Sequence, residues 1–236
     1  ASRYRDTLLF NIWRMGTNSI ERGSRDSWTT TPARVSLVDA QVQADGVVPG
    51  SRDAQDPKYF EMLREPDLRD ARGYIISSGQ VDFLTATKFV NVLIKNGVEA
   101  QRASAAFRVE GRNYPAGSFV VKTAQAFRPH VLDMFEPQDY PDDFDFPGAA
   151  PTPPYDTTGW TLAYQMGVEF ERILEDFDGP FEEIDGAASA PLGHISNLPG
   201  AAGFFLSHAV NDAFIAVNRL IRDGERILWL RESVNV

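Results

Sequence analysis

The sequence predicts an α/β fold, a doubly wound, mostly parallel sheet with two βαβ-like repeat units, preceded by a helical lobe. Three observations predict it. Gly73-Tyr-Ile-Ile-Ser-Ser78 is a short apolar run, and Asp82 then caps an amphipathic helix that stops at Asn96-Gly97. The pattern returns near the C-terminus: Gly203-Phe-Phe-Leu-Ser-His208 matches the strand, and Phe89-Val-Asn-Val-Leu-Ile-Lys-Asn-Gly97 is echoed by Ala216-Val-Asn-Arg-Leu-Ile-Arg-Asp-Gly224. Before Gly73 the apolar spacing is helical throughout. The expected divisions are a helical lobe over 1–70 and an α/β domain over 71–236.

In chain order, Tyr4, Leu8, Ile12 and Met15 fall on one helical face, with Leu9 and Ile20 beside it, and Gly23 ends that helix. This face is expected to be buried. Thr31-Pro32 is a cap with a first-turn proline, opening a second helix through Val35, Val38 and Val42 to Gly46. Asp56-Pro57 repeats the signal before Tyr59, Phe60 and Leu63, and Pro66 closes that short piece.

From Gly73 the pattern changes. Tyr74 to Ile76 reads as a buried strand, and Phe83, Val90, Leu93 and Ile94 as the sheet-facing side of its helix. Ala100 to Val109 reads as strand, Glu110-Gly111 and Tyr114-Pro-Ala-Gly117 as turns, and Ser118 to Lys122 as a further strand. Val131 to Phe135 is a short helix after Pro129, terminated by Pro137. Gln138 to Thr158, rich in proline and carrying Asp139, Asp142, Asp143 and Asp145, reads as a long surface loop. Trp160 to Met166 follows as a helix ended by Gly167, and Val168 to Ile173 alternates as a strand. Asp185 to Gly203 is a linker, and Arg226-Ile-Leu-Trp-Leu230 is the returning strand of the second unit. That unit looks truncated at Val236, because the first one runs on into a hairpin and another strand; an open edge and self-association are the expected consequence.

The net charge of −10 repels phosphate backbones and anionic membrane surfaces alike, so neither nucleic acid nor membrane is expected as a partner. The absence of cysteine removes disulfides, thiolate ligands and a Cys nucleophile together. No signal peptide opens the chain, and Ala1-Ser-Arg-Tyr-Arg reads as a start inside a helix.

Open α/β sheets bind ligands at the carboxyl ends of their strands, which makes Ser77, Ser78, Ser207 and His208 the crevice candidates. Ser207, His208 and Asp212 also hold the residue types of a catalytic triad, although neighbours on one strand end rarely turn toward each other. Against this stands a structural role, in which Ser78 and Asp82, like Asn211 and Asp212, cap helices. No metal site is expected. Of the three histidines, His130, His194 and His208, only His130 has a carboxylate one turn away, at Asp133, and the acidic loop lacks the order of a calcium loop.

The run Asn113-Tyr-Pro-Ala-Gly-Ser-Phe-Val-Val-Lys-Thr-Ala-Gln-Ala-Phe-Arg-Pro-His-Val-Leu-Asp-Met-Phe-Glu-Pro-Gln-Asp139 resembles a group of bacterial zinc carboxypeptidase-like proteins. So do Asn11-Ile-Trp-Arg-Met-Gly16, Ile20-Glu-Arg-Gly23, Pro153-Pro-Tyr-Asp156 and Gly159-Trp-Thr-Leu-Ala-Tyr-Gln-Met-Gly167. The resemblance implies a parent that hydrolyses peptide bonds with one zinc held by two His and a Glu, a second Glu acting as general base. No position here matches those ligands, so the resemblance places them in a peptidase domain upstream, in a periplasmic or secreted setting. It further implies a trailing region with a fold similar to class I glutamine amidotransferases, without their Cys nucleophile. The expectation is thus a non-catalytic accessory region acting in docking, substrate positioning or stability, with no cofactor of its own and the upstream peptidase domain as partner. Two alternatives stand beside it: a small-molecule or peptide binding module at the strand-end crevice, and a cryptic hydrolase built on Ser207 and His208.

Overall fold

In the computed structural model, which describes residues 2–137, 144–153, 160–195 and 199–232, the centre of the molecule is a five-stranded sheet. Its strands are β1 (Gly73–Ile76), β2 (Gln101–Ala103), β5 (Phe119–Lys122), β6 (Glu171–Ile173) and β7 (Phe181–Glu183), in the order β6-β1-β5-β2-β7. A separate hairpin joins β3 (Phe107–Val109) to β4 (Arg112–Tyr114). The helices are α1 (Arg5–Gly23), α2 (Pro32–Ala44), α3 (Pro57–Met62), α4 (Phe83–Lys95), α5 (Arg128–Phe135), α6 (Leu162–Gln165) and α7 (Asp212–Arg222).

Every hydrogen-bonded strand pair described is antiparallel, which corrects the expectation of a doubly wound, mostly parallel sheet. The βαβ unit itself forms: β1 and β2 run the same way with α4 between them. They are not neighbours, because β5 inserts between them, pairing Ile76 with Phe119 on one side and Arg102 with Phe119 on the other. The result is a split βαβ arrangement. The hairpin makes the insertion possible. Glu110 and Gly111, both at positive φ (46° and 81°), close a tight turn that sends the chain back toward the sheet.

Period-two alternation divides the core. Tyr74, Ile76, Phe119 and Val121 face the helices α4, α5 and α6, packing on Phe89, Val90, Leu93 and Phe135. Ile75, Val120 and Ile173 face the other way, under Val109, Tyr114 and Phe177. Full burial of each such aliphatic side chain contributes about 1.5–3 kcal/mol. Helices therefore line one face of the sheet and the hairpin the other, whereas a doubly wound sheet carries helices on both. Tyr74 marks the polar end of the helical side. Its ring stacks on Phe135 at 4.1 Å, and its hydroxyl donates to Glu136 Oε1 at 2.6 Å, which Arg172 Nε also reaches at 2.7 Å. Burial first, and then the Glu136 charge, push the Tyr74 hydroxyl well above the usual phenol range.

The helical start signals hold at atomic level. Thr31 Oγ1 accepts the Arg34 N–H, Asp56 Oδ1 the Lys58 N–H, and Asp82 Oδ1 the Thr85 N–H. The helices α2 and α3 meet at Asp45, whose carboxylate accepts from Lys58 Nζ at 2.7 Å and the Tyr59 hydroxyl at 2.9 Å; those bonds, Lys58's foremost, lower its pKa to about 2.

A buried polar knot joins the α1–α2 connection and α5 to the chain entering β1. Asp70, just before β1, accepts hydrogen bonds from Ser27 Oγ, Thr29 N–H and Thr29 Oγ1, and takes Arg128 Nη2 at 2.6 Å. Both charged side chains are almost wholly buried, at 8% and 5% exposure. Beside the knot, Arg72 donates to the carbonyls of Gly23 and Ser24 at the end of α1. Gly23 has to be glycine, since a Cβ there would lie 2.1 Å from the Thr123 carbonyl oxygen.

Two expectations fail at the ends of the chain. The face of α1 that carries Leu8, Ile12 and Met15 is exposed, and Gly23 is the helix's one buried residue. In the second repeat α7 forms as predicted, but neither Gly203 to Leu206 nor Arg226 to Leu230 belongs to a strand. Phe204, Phe205, Leu228 and Trp229 all face solvent. The described sheet offers these runs no partner, so a sequence signal for buried strands ends in exposed chain outside any strand.

Candidate functional site at the strand ends

The carboxyl ends of β1 and β2 lie level with the start of β5, and the three meet around the turn Tyr114-Pro-Ala-Gly117. Ser77 and Ser78 follow β1 there. Ser77 Oγ accepts the Gly79 N–H at 3.2 Å, Ser78 Oγ donates to the Ala116 carbonyl at 2.9 Å, and the Ser78 N–H donates to Ser118 Oγ at 3.0 Å. Both serines thus build the strand end. Beside them a hollow of about 410 Å³ is lined by Arg102, Ala103, Ser104, Ala116, Gly117 and Glu182. None of the crevice candidates Ser77, Ser78, Ser207 and His208 lines this hollow, whose charged walls come from Arg102 and Glu182. Sequence reading missed both. Arg102 sat in a run taken as plain strand, and β7, which carries Glu182, is too short and too acidic to show a strand pattern.

The C-terminal candidates do not join this site. Ser207 Oγ accepts the N–H of Ala209 at 3.3 Å, the His208 ring lies against Trp229 with centroids 5.2 Å apart, and Asp212 pairs with Lys88 of α4. Each member of the would-be triad turns to a different partner, so the Ser to His hydrogen bond that nucleophile activation needs is not formed. What the two repeats share is Asp82. Its Oδ1 caps α4, and its Oδ2 takes both the Thr85 hydroxyl at 2.7 Å and the Asn211 N–H at 3.0 Å, while Asn211 Nδ2 donates to Thr85 Oγ1 at 3.1 Å. Burial alone would raise the Asp82 pKa; the amides of Asn211 and Thr85 and the Thr85 hydroxyl outweigh it and hold the group below its ordinary 3.8. One carboxylate thereby anchors the starts of both repeat helices.

Among the described residues no group of three or more His, Cys, Asp or Glu is placed to hold a metal ion, and the sequence has no cysteine. This finding conflicts with the terms zinc, metallocarboxypeptidase and peptidase, which the resemblance implies for a parent. His130 and Asp133 lie on α5, where the Asp133 carbonyl accepts the Thr161 N–H at 2.8 Å. Asp139, Asp142 and Asp143 of the acidic loop lie outside the described residues. Among the described residues no helix is long and apolar enough to cross a membrane. A scan of family models, a search of curated proteins and a search of solved structures each return no match to this chain.

Proposed function

We propose that this chain is a non-catalytic accessory region that docks another protein domain, the upstream domain of the carboxypeptidase-like protein it resembles. The observation that carries the reading is α1. Leu8, Leu9, Ile12, Trp13 and Met15 are each more than half exposed, on a helix whose C-terminal end Arg72 bonds through the Gly23 and Ser24 carbonyls. An aqueous surface rarely keeps such a contiguous apolar patch without a partner for it. The engagement of Ser207, His208 and Asp212 with separate neighbours supports the same reading over a hydrolase. Aromatic and aliphatic anchors near the centre of a patch carry most binding energy. Ile12→Glu and Trp13→Glu should therefore each weaken binding of the separately expressed upstream domain at least about thirtyfold, measured by calorimetry. Unchanged affinity in both variants contradicts the proposal.

A further inference from the structure

We propose that the hollow at the ends of β1 and β2 binds a small zwitterion of the α-amino acid class, its carboxylate on Arg102 and its ammonium on Glu182. Arg102 and Glu182 are directly opposite each other across β2 and β7. Cross-strand neighbours of opposite sign normally meet. Here they do not: among the described residues the Arg102 side chain makes neither a hydrogen bond nor an ion pair, and the Glu182 side chain makes no ion pair, although both line the same concavity. A charge of each sign is thus available to a ligand that carries both.

The remaining walls fit a small guest. Ala103, Ala116 and Gly117 leave room, and the volume of about 410 Å³ falls in the lower part of the range for small-molecule sites, roughly 300–1,000 Å³. Gly117 has φ +86°, where a side chain would be strained, and a Cβ there would lie in contact with Arg102 Nη2 at 3.4 Å. Ser104 Oγ spends its proton on the Pro180 carbonyl at 3.1 Å and keeps lone pairs for an ammonium. Arg is suited to a carboxylate, which its planar fork can meet with two parallel hydrogen bonds. This site is independent of docking through α1. Gly23 of α1 lies against Thr123, just past the end of β5, whereas the hollow is at its start.

Amide spectra of the ¹⁵N-labelled chain, titrated with L-alanine, acetate and methylamine, test the assignment. L-Alanine should shift the amides of Arg102, Ser104 and Gly117 saturably, with acetate and methylamine each at least about tenfold weaker. Arg102→Gln should abolish the response to both L-alanine and acetate. Glu182→Gln should weaken L-alanine and leave acetate unchanged. No saturable shift by about 50 mM L-alanine, or acetate binding as well as L-alanine, overturns the proposal. Both residues are exposed, and the wild-type titration decides the matter by itself should a variant fold poorly.

Discussion

Arg128 and Asp70 show how one pair of residues can hold a helical segment onto a sheet. A buried ion pair adds little net stability over apolar packing, because desolvation offsets most of its attraction. Removing one partner is another matter, since the other charge is then buried unpaired. Arg128→Met should cost about 3–5 kcal/mol by urea unfolding, despite a similar side-chain volume. The loss should fall short of that range only to the extent that Ser27 and Thr29 continue to satisfy the Asp70 carboxylate. Neither residue stood out in the sequence. Their separation along the chain means that only the folded path brings them together, and no local pattern marks a buried charge.

Among the elements, α7 is tied to the rest of the molecule by polar contacts at its start, with Ala213 its one buried residue. Asp82 is central to them. Its folded pKa lies below the ordinary 3.8, so its contribution is complete above the unfolded value and is lost as pH falls through the folded one. Acidification below pH 3.8 should therefore release α7, seen as faster hydrogen exchange over 212–222, before the sheet melts. Asp82→Ala should release α7 already at neutral pH and lower the stability of α4 by about 0.5–2 kcal/mol through the lost cap. A variant whose α7 exchanges at the wild-type rate would remove Asp82 from this role.

Element identity was largely legible in the sequence, and pairing was not. The caps at Thr31, Asp56 and Asp82, the turn at Glu110-Gly111 and the apolar run of β1 are local signals, and each appears where it was read. The position of β5 between β1 and β2 is non-local, and a strand, helix, strand pattern reads the same with or without an inserted strand. A short charged edge also hides. Glu182 and Glu183 on β7 protect that edge of the sheet against edge-to-edge pairing while erasing the alternation that would reveal it, whereas β6 lies within the alternating run Val168 to Ile173 and was legible. For the candidate site, the serines read at the strand end, Ser77 and Ser78, build the turn beside the hollow and do not line it; Arg102 and Glu182, which do, were not legible, because their meaning depends on β2 and β7 being neighbours.

At the scale of the molecule, a well-packed sheet with its helices carries apolar surface at both ends of the chain, on α1 and on the stretch around α7. The repeat in sequence thus becomes an asymmetry in structure: one unit has a sheet to pack on, and its counterpart presents Phe204, Phe205, Leu228 and Trp229 to solvent. Hydrogen exchange on α1 tests the docking account most directly, comparing this chain alone with the same chain mixed with the proposed upstream partner domain. Residues 8–15 should exchange rapidly in the free chain and become at least about a hundredfold slower in the mixture, with the β1 and β5 amides unchanged. Equal exchange over 8–15 in the two samples, with both domains folded, would contradict the account.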